Sequence, residues 1–258
     1  MKTAGGIAFD DVGDGDLALL LLPGWCGPRT VFRPLLAELA SHVRAIAIDW
    51  RGHGGSEPAT GELGYAELLA DATAVLDTAK VERVIPVGLA HAGWAAFDLR
   101  RTLGAARVPA IALLDWMVLG APPPFFDALS GLEHPEQWSH VRDRLFAMWT
   151  TGVASPAVHD YVGEMRRADR AMWARAAREI AARFAAEPHP LASIEKERCP
   201  TLHVYAQPAD PGFLAAQQAY AAEHPWFTVH RVAGSSHFPP LEVPAEVAAR
   251  LAAFVASV

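Results

Sequence analysis

Gly88-Leu89-Ala90-His91-Ala92-Gly93 follows the apolar run Val84–Val87 and opens a helical pattern from about His91. Small residues at 88, 92 and 93 permit a tight turn and close packing of helix on strand. This is the context of a nucleophile elbow, the strand–turn–helix G-x-S-x-G whose central residue presents an attacking side chain. Here the central residue is Ala90. Alanine has no lone pair to attack with and no proton to give up, which excludes covalent acyl transfer from this position. A plain glycine-containing turn fits the same letters. In both readings the backbone N–H of His91 stands at a helix N-terminus, where the dipole favours an anion.

Outward from this turn, apolar runs alternate with helical patterns. Leu17–Leu22 is a short continuous apolar run closed by Pro23-Gly24, as a buried strand would be. Val31–Ala40 reads as a helix, with Pro34 tolerable only in its first turn. Further strands are expected at Val43–Ile48, Val108–Leu114, Thr201–Tyr205 and Thr228–Val232, and helices at Tyr65–Thr78 and from about Gly212 and Ala245. Such alternation implies an α/β chain with a mostly parallel sheet flanked by helices. Between Trp116 and Glu197 strand signals vanish and helices dominate, including Asp160–Phe184. We read residues 116–197 as a helical cap inserted into a core of 1–115 and 198–258. Pro122-Pro123-Pro124 marks its beginning and Cys199-Pro200 its end.

Composition narrows the function classes. With 52% hydrophobic residues over 258, a large core can be buried. A net charge of −7 without a basic run argues against nucleic acid or an anionic membrane surface as partner. No apolar run is long enough to span a bilayer, and Met1–Gly6 lacks the apolar stretch of a signal peptide. Cys26 and Cys199 sit in no metal-ligand pattern. The expectation is a soluble cytoplasmic protein without a metal site. Oligomeric state is not legible.

Chemistry is expected where loops leave the strands. Leu21-Leu22-Pro23-Gly24-Trp25-Cys26-Gly27 follows a strand. Trp25 could give a second backbone donor to an oxyanion hole and an indole wall, or simply be a buried tryptophan in a turn. Ser235-Ser236-His237-Phe238-Pro239 follows the last strand, and His237 can act as a base near neutral pH. Such a base needs an orienting carboxylate; Asp115 ends the fourth strand and Asp210 lies in the loop after the next sheet strand, and spacing cannot choose between them. Asp49 also ends a strand, but Arg51 offers it a structural ion pair. Trp116, Phe125, Phe126, Trp138, Phe146, Trp149 and Trp173 bring aromatic surface to the cap, as packing or as a flat apolar pocket over the elbow.

Six segments occur in order: Pro23-Gly24-Trp25-Cys26, Asp49-Trp50-Arg51-Gly52-His53-Gly54, His91-Ala92-Gly93-Trp94, Asp115-Trp116, His224-Pro225-Trp226-Phe227 and His237-Phe238-Pro239. Together they resemble the cofactor-independent 2,4-dioxygenases that cleave 3-hydroxy-4(1H)-quinolones on an α/β-hydrolase fold. The resemblance implies an oxygenase without metal or organic cofactor, acting on a small aromatic N-heterocycle with O2. It implies His237 as the base for the 3-hydroxyl and Asp115 as its orienting partner. It implies a substrate site of Trp25, Ala90, His91 and Trp149, with Trp25 and the His91 N–H on a substrate oxygen. The chain departs from the family twice. Ala90 stands where the family has serine, and Gly27 where a polar residue is frequent. Losing one hydrogen bond at position 90 costs about 0.5–1.5 kcal/mol, small beside the roughly 10²–10⁴-fold of a general base. A base-catalysed lyase or ring rearrangement, a non-catalytic binder of small aromatics and a disguised hydrolase share the same scaffold.

Overall fold

The computed structural model describes residues 2–61 and 63–258. It begins with two strands that a search for long apolar runs passes over, β1 (Lys2–Ala4) and β2 (Ile7–Val12). They are short and end in acidic or exposed positions, so no continuous apolar stretch announces them. β3 (Leu17–Leu22) is buried beyond its first residue, as its composition demands. A single 3₁₀ turn, Arg29–Phe32, leads into α1 (Arg33–Leu39). The helix expected from Val31 therefore starts later, with Pro34 in its first turn, where the missing N–H costs nothing.

β4 (Arg44–Ile48), α2 (Tyr65–Thr78), β5 (Arg83–Leu89), α3 (Gly93–Arg107) and β6 (Ile111–Leu114) continue the alternation. Four longer helices, and then a short fifth, follow before the next strand: α4 (Pro123–Glu133), α5 (Trp138–Thr150), α6 (Pro156–Met165) and α7 (Arg170–Ala186) come first. The expected single helix over Asp160–Phe184 is two. Asp169 takes the backbone N–H of Met172 at 2.8 Å and so caps a new helix. The short α8 (Pro190–Ser193) returns the chain to β7 (Thr201–Tyr205), followed by α9 (Pro211–Glu223), β8 (Phe227–Arg231), α10 (Pro239–Glu242) and α11 (Pro244–Val255).

The strands form one sheet in the order β1-β2-β4-β3-β5-β6-β7-β8. β1, β2 and β4 pair antiparallel; every other neighbouring pair is parallel. Parallel strands leave all their carboxyl ends on one edge, and loops gathered there can meet. Both faces are buried under helices, so central strands such as β6 are apolar throughout. Among the described residues no helix is long and apolar enough to cross a membrane.

Candidate active site

The loops after β3, β5, β6 and β8 converge at the carboxyl edge. The turn after β5 keeps the geometry of an elbow although its nucleophile is gone. Ala90 has φ +50°, a left-handed conformation costing an alanine roughly 1–2 kcal/mol. A Cβ on Gly88 would lie 2.6 Å from the Gly93 nitrogen, and one on Gly93 would enter the Trp116 ring, so both glycines are demanded by contact. Among the described residues, four besides glycine have positive φ: Cys26, Lys80, Ala90 and Asp115. Three of these stand at this edge, each directly after a strand or in the loop that follows it, so backbone strain is gathered where the loops meet.

His237 Nδ1 lies 2.7 Å from Asp115 Oδ1. Asp115 is buried, and its other oxygen accepts the N–H groups of Ala206 at 2.8 Å and Gln207 at 3.0 Å. The carboxylate is thus fixed from the β7 side, and the imidazole is fixed by the carboxylate. With Nδ1 engaged, Nε2 is the nitrogen left for a ligand. Asp210, the other carboxylate considered, accepts the Phe213 N–H at 3.0 Å and caps α9 instead. Asp49 is structural, but its partner is Arg29 rather than Arg51. Its oxygens take the Arg29 guanidinium, the Arg29 N–H at 2.6 Å and the Gly55 N–H at 2.7 Å. Arg51 turns away from β4 and pairs with Asp71 on α2.

The loop after β3 is held by His53, whose Nε2 accepts the Cys26 N–H at 3.0 Å. His53 Nδ1 lies 3.0 Å from the Arg51 carbonyl, so the ring bridges two loops in its neutral form. Burial pushes its pKa below the ordinary value. His91 is held likewise. Its Nδ1 accepts the indole N–H of Trp116 at 3.2 Å, which leaves the ring proton on Nε2. Burial, and secondarily the charge of a protonated His237, push His91 down to about 3. Tyr65 donates to the His91 carbonyl at 3.1 Å and steadies the start of α3. Gly24 and Ala90 are close neighbours, a Cβ on Gly24 standing 3.8 Å from that of Ala90, so the loops bearing Trp25 and His91 form one floor.

Above that floor lie two lobes of about 90 and 270 Å³ that share lining residues. Ala90, His91, Trp149 and His237 line both. Trp25 lines the inner lobe, and Asp115 the outer one. The two lobes therefore bring together all six expected site residues. The cap aromatics divide. Trp149 stacks on His237, and Phe125 and Trp173 line the inner lobe. Trp116 does both: it lines the outer lobe and packs edge-on to Trp94 with centroids 4.9 Å apart. Trp138 lies under Arg142, and Phe126 is partly exposed. Sequence reading missed Tyr161, which lines the inner lobe from α6. Its signal was present: Val158, Tyr161, Val162 and Met165 form the buried stripe of that helix, and only Tyr161 carries a polar atom.

The alpha/beta hydrolase family matches residues 19–250. The 2-heptyl-3-hydroxy-4(1H)-quinolone dioxygenase of Mycobacteroides abscessus is 37% identical over 96% of this chain and 94% of its own length. The chain belongs to this family. The 1H-3-hydroxy-4-oxoquinoline 2,4-dioxygenase of Pseudomonas putida is 32% identical over 92% of this chain and 90% of the relative. A solved structure of AqdC with its product, described for recognition and ring-cleavage of the Pseudomonas quinolone signal, superposes with a TM-score of 0.92. It is 36% identical and covers 99% of this chain and 98% of that one. The sheet, the helices between β6 and β7 and the carboxyl-edge loops are thus shared with solved structures of quinolone 2,4-dioxygenases.

Proposed function

We propose that this chain is a ring-cleaving dioxygenase that opens the heteroaromatic ring of a 3-hydroxy-4(1H)-quinolone with O2, releasing carbon monoxide and an N-acylanthranilate. The observation that carries the reading is the His237–Asp115 pair, 2.7 Å apart, lining a mostly apolar cavity whose elbow ends in alanine. A base is in place and a nucleophile is not.

His237 Nε2 takes the proton of the 3-hydroxyl, and Asp115 orients the ring and stabilises the imidazolium. The backbone N–H groups of Trp25 and His91 hold a substrate oxygen. The electron-rich anion supplies the electrons that reduce O2, and a peroxide bond forms at ring carbon C2. The peroxide's terminal oxygen adds to C4, closing an endoperoxide. Its O–O bond and the two bonds to C3 then break. C3 leaves as carbon monoxide with the oxygen of the former hydroxyl, and each oxygen of O2 stays in the product. Trp149 covers His237, and the apolar walls exclude water from the anion. The unpaired buried cysteines, Cys26 and Cys199, suit a reducing cytoplasm.

The test is oxygen uptake and carbon monoxide release by the purified chain with 2-alkyl-3-hydroxy-4(1H)-quinolones, with and without air. Stoichiometric uptake and release are expected, with no turnover under anoxia. Turnover that persists without oxygen would assign a lyase or rearrangement instead. Tight binding without turnover in air would assign a binder.

A further inference from the structure

The chain lacks two polar side chains at its floor, one at Ala90 and one at Gly27. At Gly27 the space is already taken. A Cβ built there would stand 1.9 Å from the Tyr161 hydroxyl oxygen and 2.9 Å from its ring carbon Cζ. The phenol of α6 thus reaches down from the cap to the loop that carries Trp25 and Cys26. Tyr161 is 3% exposed, and its ring is fixed edge-on to Phe238, with centroids 5.0 Å apart. Phe238 directly follows His237.

A buried tyrosine hydroxyl ordinarily finds a partner. That of Tyr161 makes no hydrogen bond to any described residue, and its oxygen is not sealed among other atoms, since the residue lines the inner lobe. The acidic groups near it are engaged elsewhere. Glu164 accepts the Thr30 hydroxyl at 2.7 Å, and Asp49 holds Arg29. Burial first, then the negative charge of Glu164 and Asp49, raises its pKa well above the ordinary value. The hydroxyl therefore stays protonated and has a hydrogen to donate. The rest of the inner-lobe wall is largely aliphatic and aromatic: Leu129, Leu132, Met165 and Ile180 face the same space.

We infer that Tyr161 is a substrate-binding residue of this chain, its phenol O–H donating to an exocyclic oxygen of the bound heteroaromatic from the space a side chain at position 27 would fill. A hydroxyl absent from the elbow is in this way returned from the cap. The inference rests on the site binding a hydroxyquinolone. It makes residues 27 and 161 a linked pair: a side chain at 27 excludes the phenol oxygen, and glycine at 27 admits it.

The test is anaerobic titration of the full chain with 2-methyl-3-hydroxy-4(1H)-quinolone, followed by the ultraviolet–visible bands of the neutral and anionic ligand. Tyr161→Phe keeps the ring and removes the oxygen. Its Kd is expected to rise about 3- to 10-fold, with a smaller bound fraction in the anionic form at a given pH. 2-Methylquinoline, which has neither oxygen, is expected to bind both proteins equally, a difference that packing alone would not produce. Gly27→Ala, which displaces the phenol, should repeat the loss, and the double variant should be no worse than either single one. Melting temperatures report whether each variant is folded. Equal Kd and equal anion fraction in Tyr161→Phe and the parent would overturn the inference while leaving the dioxygenase reading intact. An equal loss for 2-methylquinoline would also overturn it. A parent chain that binds no hydroxyquinolone would overturn both.

Discussion

The Trp149 indole lies nearly parallel to the His237 imidazole, with centroids 5.3 Å apart and planes 22° from parallel. α5 thereby packs directly on the proposed base. The indole face carries negative quadrupole density, so it favours the imidazolium that proton transfer would create, by ~0.5–2 kcal/mol. It also restricts the ring to the orientation that Asp115 sets.

Replacing that indole separates packing from chemistry. Trp149→Leu is expected to lower kcat/KM for the hydroxyquinolone by roughly 2- to 30-fold, the rate equivalent of the cation–π range. Trp149→Phe should retain most of the activity. Steady-state oxygen uptake measures both, and an unchanged kcat/KM in the leucine variant would remove Trp149 from the site.

The proposed base should matter far more. His237→Ala is expected to reduce turnover by about 10²–10⁴-fold while anaerobic substrate binding persists. Asp115→Asn should fall in a similar range, because an amide beside Nδ1 favours the wrong tautomer. Asparagine accepts the φ of +48° at this position, so the variant should fold. Single-turnover oxygen consumption at saturating substrate distinguishes lost chemistry from lost binding.

Position 90 should be tunable without loss of function. Ala90→Ser adds a hydroxyl and is expected to tighten binding by about 2- to 10-fold, with kcat within a few-fold of the parent. Esterase activity in that variant, with oxygen uptake abolished, would show that the floor is still that of a hydrolase.

Asp49 is fully buried and serves the loops rather than the reaction. Asp49→Ala leaves Arg29 facing an empty space and removes the acceptor for two backbone N–H groups. A loss of about 3–5 kcal/mol is expected, at the lower end because Arg29 keeps its contact with Asp10. Urea unfolding at neutral pH reads it.

Two buried histidines, His53 and His203, and the half-buried His91 make the fold acid-sensitive. His53 is depressed below its ordinary 6.5, His91 is pushed down to about 3 and His203 to about 4, with burial the leading cause in each. The unfolded chain then binds protons that the folded chain refuses. Their contribution to stability is complete above pH 6.5 and is lost as pH falls toward 4 and below. Each contributes a slope of up to about 1.4 kcal/mol per pH unit. The urea midpoint should drop steadily from pH 7 to pH 5, and a flat profile would show that these rings take up protons while folded.

Much of this site was legible in the letters because its signals are local. The run Leu17–Leu22 is apolar at every position and became a buried strand with those limits. The small residues around Ala90 announced a tight turn, and the alanine excluded a serine mechanism whatever the fold. Local patterns of this kind act through spacings of two to four residues, and a sequence displays them directly. Partner choice is different. Asp115 and His237 are 122 residues apart; spacing alone could not choose between Asp115 and Asp210, the family resemblance favoured Asp115, and the sheet set that carboxylate against the imidazole and left Asp210 at a helix N-terminus. Asp49 found Arg29 rather than its near neighbour Arg51, because the chain turns after β4 and carries Arg51 to α2. Tyr161 reaches Gly27 only when the cap closes over the elbow. Local spacing therefore determined the strand–helix alternation and the missing nucleophile, whereas only the closed tertiary structure decided which distant charges and hydroxyls share a cavity, since those pairings depend on how parallel strands align their carboxyl ends.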